Sequence, residues 1–379
     1  MRGKVGSRTQ LYGDVCLITK VRKKEAMLKK VTLGLIAALG VSASALAAGP
    51  GADVPIPAAP ASINVTSPVQ HGSWEIGLEA GYYQPANENF QYAQQFVGGD
   101  EWKDYDVRPT HQWAGHADVT FRTPGPGGFV QLGATHFSAN DSDHESVISN
   151  GILNSPFNQL SSFSSKLSLG TDYESAKGSV EDKYTDVDLV FGRTFDVGAL
   201  TRFNMYGGLR YASIDNDTKG TYKNSNGSVL TGVDVVRLDS DFSGVGLRGG
   251  ISTEVNLAYG FSFVGNFAGS LLAGNGEQKL TGASVVYGSS GTISATDSVE
   301  IRDSDDTRVI PELDARVGLH YNYGFNPTTS VGLEIGYQIE NYFSVVDKDL
   351  VDAALPNTIH NNNDFGFQGP YFRAQVNIA

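Results

Sequence analysis

Strand-length segments of alternating apolar and polar residues run through most of this 379-residue chain, and the connections between them follow a rhythm as well. Short turns fall at Thr123–Gly128, at Asp196–Ala199, around Tyr259–Gly260 and at Gly324–Thr328. Long polar connections occupy roughly 85–111, 139–182, 213–240, 273–306 and 343–364. Tight turns at one end of a sheet and long loops at the other imply antiparallel strands in sequence order, an even strand number and both termini at the short-turn end. Ten segments qualify: 73–84, 112–122, 129–138, 183–195, 200–212, 241–256, 261–272, 307–322, 329–342 and 365–378. Stretches 221–238 and 280–302 also alternate, as at Val285, Val286 and Tyr287, and are expected to extend these strands or to add a hairpin. The strand count is therefore about ten, within eight to twelve.

The residues on each face decide between a soluble sandwich and a membrane barrel, both of which alternate. Trp74, Ile76, Leu78, Ala80 and Tyr82 share one face, against Glu75, Gly77, Glu79 and Gly81. Val331, Leu333, Ile335, Tyr337 and Ile339 oppose Gly332, Glu334, Gly336, Gln338 and Glu340. Val309, Leu313, Ala315, Val317, Leu319 and Tyr321 oppose Arg308, Glu312, Asp314, Arg316, Gly318 and His320. Aromatic residues bracket the apolar face, and glycines recur on the polar face, where a barrel interior is crowded. The strands reach ~10 residues, which suits a tilted membrane strand better than the usual soluble one. Arg202, Arg210, Arg248 and Glu254 keep to the polar face, which matters because a basic residue facing lipid at mid-bilayer costs roughly 2–4 kcal/mol. Arg193 departs from the pattern, sharing a face with Leu189, Phe191 and Phe195 near a strand end, where its side chain can snorkel. The expected fold is all-β: a transmembrane, antiparallel up-and-down barrel of residues 73–379.

The N-terminal region reads differently. Met27 opens a basic segment (Lys29, Lys30), an apolar run from Val31 to Leu46 and the small-residue site Ala45-Leu46-Ala47, the pattern of a cleaved secretory signal over 27–47. Residues 1–26 read as an extension preceding the true start, and the Pro/Ala-rich 48–72 as a flexible lead-in. Cys16, the single cysteine, lies before the signal, so disulfides and thiol chemistry are not expected. Residues 1–47 hold nine Lys/Arg and two Asp/Glu, so the exported part keeps 19 basic and 39 acidic residues from totals of 28 and 41. That balance argues against nucleic acid as a partner.

Several strand segments resemble those of the Legionella major outer-membrane protein family. They are Trp74-Glu75-Ile76-Gly77-Leu78-Glu79-Ala80-Gly81-Tyr82-Tyr83-Gln84-Pro85, Pro311-Glu312-Leu313-Asp314-Ala315-Arg316-Val317-Gly318, Gly336-Tyr337-Gln338-Ile339-Glu340-Asn341-Tyr342-Phe343 and Phe367-Gln368-Gly369-Pro370-Tyr371. The resemblance covers most of 73–379 but not the long loops. It implies a pore-forming protein of the outer membrane, in contact with outer-membrane lipid and lipopolysaccharide, that passes small hydrophilic solutes or ions. This chain ends in Asn377-Ile378-Ala379 where barrel proteins often end in an aromatic residue. A homo-oligomer fits the family, but one linked by disulfides does not fit an exported part without cysteine.

By parity, Glu75, Glu79, Asp118, Asp186, Asp188, Arg202, Arg210, Arg248, Asp314, Arg316, Glu334 and Arg373 are expected to line the lumen. Acids facing arginines across a pore create a transverse field that orients water and tunes ion selectivity. The competing expectation is that these groups pair with one another and plug a narrow barrel, giving a structural or adhesive protein that acts through its loops. No histidine (His71, His111, His116, His136, His144, His320, His360) stands in a recognisable nucleophile or acid arrangement, so no enzyme activity is expected. The acidic runs Asn140–Glu145 and Asp303–Asp306 lack EF-hand spacing, so no metal or cofactor is assigned.

Overall fold

A computed structural model describes residues 72–379 apart from 87–89, 99–100, 125–126, 147–151, 160–166, 168–172, 199, 227–228, 289 and 348–361. The expected signal, the expected N-terminal extension and most of the expected lead-in lie outside the described residues. Among the described residues thirteen strands follow in order: β1 Ser73–Pro85, β2 Phe90–Gly98, β3 Glu101–Val107, β4 Gln112–Arg122, β5 Gly128–Ser146, β6 Ile152–Asn154, β7 Ser175–Val197, β8 Thr201–Asn226, β9 Val229–Asn256, β10 Phe261–Tyr287, β11 Ile293–Asn326, β12 Thr329–Asp347 and β13 Asn362–Ile378. Ten of them close a barrel in the order β1-β13-β12-β11-β10-β9-β8-β7-β5-β4, while β3-β2-β6 form a separate small sheet. Every barrel pairing is antiparallel, and β1 closes the ring between β13 and β4. Each of the ten expected segments maps onto one barrel strand, and only 200–212 overruns its strand, by the single residue Leu200. The alternation in 221–238 and 280–302 belongs to strand extensions, not to a further hairpin.

Closure leaves the apolar face nowhere to go but outward. Leu247 and Trp113 are each 71% exposed, Leu78 63% and Ile335 62%. In water such a surface would be an association liability, whereas in a bilayer it is the solvated face. Aromatic pairs mark its edges: Trp74–Phe121 and Phe261–Tyr321 towards the short turns, Tyr82–Trp113 towards the loops, with ring centroids 4.9, 4.8 and 5.1 Å apart. Arg193 is exposed near the short-turn end with its guanidinium 5.5 Å from the Phe195 ring. In the β9–β10 turn, Tyr259 and Gly260 take φ of 56° and 84°, the left-handed geometry a tight hairpin requires.

The wall is uneven in height. β8 has 26 residues and β11 has 34, against 13 in β1 and 11 in β4. At ~3.3 Å per residue β8 is roughly 85 Å long, far more than a ~25 Å apolar band needs even when tilted. Beyond the band the outer face turns polar: Lys183, Asp215, Asp217, Arg237, Asp239, Asp241 and Glu277 replace the aliphatic residues. The inner face of this extension is covered and mixed, with Asp182, Asn216, Thr218, Asp234, Ser240 and Gln278 buried beside apolar residues. Tyr222, Val236, Leu238, Leu280 and Val299 pack with Phe90, Tyr92, Tyr105, Val107 and Leu153 of the small sheet in one buried cluster.

Candidate functional site: the barrel interior

All twelve residues expected in the lumen lie on the inward-facing side of their strands, and the structure divides them into connected groups. Arg210 is the centre of the first. From β8 it reaches Asp188 at 2.7 Å, Asp186 at 2.8 Å, Glu340 at 2.8 Å and Glu312 at 3.1 Å. Glu340 stands on β12, nearly opposite β8 in the ring, so this contact crosses the lumen. Glu312 Oε1 meets Arg210 as a charge contact without hydrogen-bond geometry. Arg248 joins the same group through Asp188 at 3.3 Å, Glu312 at 3.2 Å and a close contact with Asp314. Asn266 donates to the other oxygen of Asp314 at 3.2 Å.

A second group lies towards β1. Arg316 donates to Glu79 at 2.8 Å and to Gln338 at 3.2 Å, and stacks over the Tyr371 ring. Tyr371 donates to Glu334 at 2.5 Å, and His320 lies 3.5 Å from that carboxylate. Arg373 grips Asp118 with both terminal nitrogens and lies 3.5 Å from Glu75, which Arg122 also holds at 2.9 Å. His116 adds a 3.3 Å contact to Asp118. Arg202 stands apart at the short-turn rim, partly exposed, 3.2 Å from Asp196 and 3.5 Å from Glu254.

Glycines make this crowding possible. A Cβ at Gly77 would overlap the Arg373 guanidinium, and one at Gly336 would overlap the Tyr371 ring. Below the Arg210 group a cavity of about 280 Å³ remains unfilled. It runs from Glu75, Arg122, Glu254 and Gln375 at the rim to Tyr83, Arg210 and Glu340 at its ceiling. Carboxylates outnumber guanidinium groups around it. Above the ceiling the lumen is closed by packed rings: Tyr83, Phe137, Tyr184, Phe242, Tyr342, Phe365 and Phe367 are all buried. Tyr184 spans this layer, donating to Glu340 at 2.7 Å and lying 5.2 Å from the Phe367 ring.

Sequence reasoning did not single out Glu312, Glu340, Arg122 or the closing tyrosines as candidates. Glu312 and Glu340 stand on polar faces that the alternation defines, so parity was the available signal. Tyr184 and Tyr342 share that parity, but an aromatic residue carries no mark of facing inward.

Residues 66–378 match the family described as the Legionella pneumophila major outer membrane protein precursor. The chain belongs to that family. No curated protein matches the chain. Among solved structures, the outer membrane protease OmpT from Escherichia coli aligns over 81% of this chain and 96% of its own, at 10% identity and a TM-score of 0.37. A major outer membrane protein from Thermus thermophilus aligns over 65% of this chain and 98% of its own, at 14% identity and a TM-score of 0.28. The CymD monoaromatic hydrocarbon channel aligns over 81% and 88%, at 9% identity and a TM-score of 0.29. Membership of the Legionella major outer membrane protein family places this barrel in the outer membrane.

Proposed function

We propose that this barrel is a porin-like conduit for small hydrophilic solutes or ions, with a preference for cations, and that the described conformation is its closed state. Its short turns face the periplasm and its tall, capped wall stands outside the cell, the orientation general to outer-membrane barrels. It carries out no chemical step. The observation that supports this most is the division of the interior. A barrel with a purely structural role gains by filling its lumen, yet here a charged cavity on the short-turn side is left open beneath a closing layer at mid-height, with the small sheet packed above that layer. The acidic excess of that cavity lowers the energy of a cation relative to an anion, as charged rings do in other pores. The twelve lumen residues would then act as pore lining, with Arg210, Arg248 and Arg316 holding the carboxylates in a fixed transverse array.

A second reading has its own support. The wall above the apolar band and the small sheet packed inside it form a substantial extracellular body, as expected of a non-conducting structural or adhesive barrel. Flux separates the two. Purified protein in liposomes should admit a small organic cation faster than an anion of equal size. Folded, inserted protein that admits neither would favour the structural reading.

A further inference from the structure

The closing layer is assembled partly by an irregular piece of wall. Up to Tyr342↔Phe365 the β12–β13 ladder is regular, and the next pair is Val346↔Asn363. β12 therefore advances four residues while β13 advances two, leaving two extra residues on β12. Within this bulge Ser344 takes φ of 55°, a left-handed conformation uncommon outside glycine and asparagine. Its amide is held by the neighbouring strand: Ser344 N–H donates to Asp364 Oδ1 at 2.8 Å. The consequence is packing across the lumen. Val345 and Val346 are buried in the closing layer, and Phe365, next to Asp364, lies 5.9 Å from the Tyr184 ring on the far side of the barrel.

We infer that the conduit opens at this upper end of the β12–β13 pair, with Ser344 as the hinge and the Asp364 carboxylate as the latch that holds Phe365, Val345 and Val346 across the lumen. The inference rests on the conduit reading above and adds its regulation. A strained residue persists only where its surroundings hold it, and here one side-chain acceptor supplies a hold that can be broken without disturbing the lumen charges. Opening withdraws the β12–β13 side of the closing layer, while Tyr83, Phe137 and Tyr184 stay on their own strands.

Single-channel recording of the full-length protein and its variants tests this. Asp364→Ala should raise open probability about fivefold, the change that one ordinary hydrogen bond makes to a two-state equilibrium. Asp364→Asn keeps the Oδ1 acceptor and should behave like the parent, which a merely electrostatic role for Asp364 would not allow. Ser344→Gly relieves the left-handed strain of the closed form and should make openings rarer. Phe365→Ala with Phe367→Ala removes two closing rings whatever the hinge does, and should raise open probability above that of the parent. Conduction by that double variant, with Asp364→Ala and Ser344→Gly indistinguishable from the parent, would overturn the hinge and leave the conduit reading standing. A folded, heat-modifiable double variant that stays silent would overturn both.

Discussion

Replacing Arg210 with Met is the most informative single change, because Met is close in length and carries no charge. Arg210 is 3% exposed and meets Asp186, Asp188, Glu312 and Glu340 within 3.1 Å. Its removal leaves these carboxylates facing one another with only Arg248 nearby, through Asp188 and Glu312. Breaking a buried ion pair from one side costs roughly 3–5 kcal/mol, most of it the penalty of the charges left behind. Arg210→Met should therefore lower barrel stability by about that amount, a large share of what a barrel this size holds in reserve. The assay is equilibrium urea unfolding in lipid vesicles followed by tryptophan fluorescence, with the heat-dependent shift in gel mobility as an independent probe of folding. Adding Asp188→Asn and Glu340→Gln to the Met variant should recover more than half of the loss, since the orphaned charges are then gone. A loss under about 1 kcal/mol for Arg210→Met alone would refute the reasoning, because it would mean that the group is solvated like a surface pair.

Other outcomes follow from different parts of the molecule. Arg202→Ala, at the partly exposed rim, should cost less than about 1 kcal/mol in the same assay. Leu247→Arg, on the most exposed part of the lipid face, should cost roughly 2–4 kcal/mol or impair insertion, read as loss of the heat-modifiable form. Glu79→Gln together with Asp314→Asn should reduce cation over anion flux in liposomes without abolishing insertion. Asp241, outside the apolar band, pairs with Asp215 on β8 and Glu277 on β10, and partial burial followed by repulsion from Asp215, Asp239, Glu277 and Asp217 pushes its carboxyl up to about 6. A raised carboxyl pKa means that the folded state binds the extra proton, so its contribution to stability falls as pH rises from about 4 to about 6 and then stays lost. Asp241→Asn should thus stabilise the barrel above pH 6, by no more than about 1 kcal/mol given its exposure, and leave it unchanged at pH 4. Equal effects at both pH values would contradict the assignment.

Much of this architecture was legible in the sequence, for a physical reason. A strand has a side-chain period of two, and a closed barrel offers only a lipid side and a lumen side, so parity along β8 sets Arg202 and Arg210 against Met205, Leu209 and Tyr211. Parity does not say which residue lies across the lumen. The Arg210–Glu340 contact joins positions 130 residues apart and depends on how far the strands are staggered around the ring, which alternation leaves undetermined. The small sheet escaped for another reason. Its β2–β3 ladder shifts register between Gln91 and Ala93 and again between Phe96 and Gly98, which breaks the alternation that would have revealed it. The bulge at Ser344 was hidden similarly, since two extra residues restore the original parity beyond it. The closing layer therefore had no sequence signature beyond a scatter of aromatic residues.

A cation-preferring path through this interior, closed at mid-height, has a direct electrical signature. Its most direct test is the reversal potential of single channels in a planar bilayer under a potassium chloride gradient. Such a path should give rare, discrete openings whose reversal potential lies on the cation side and moves towards zero in Glu79→Gln with Asp314→Asn. Openings that reverse on the anion side, or no openings from folded, inserted protein, would contradict it.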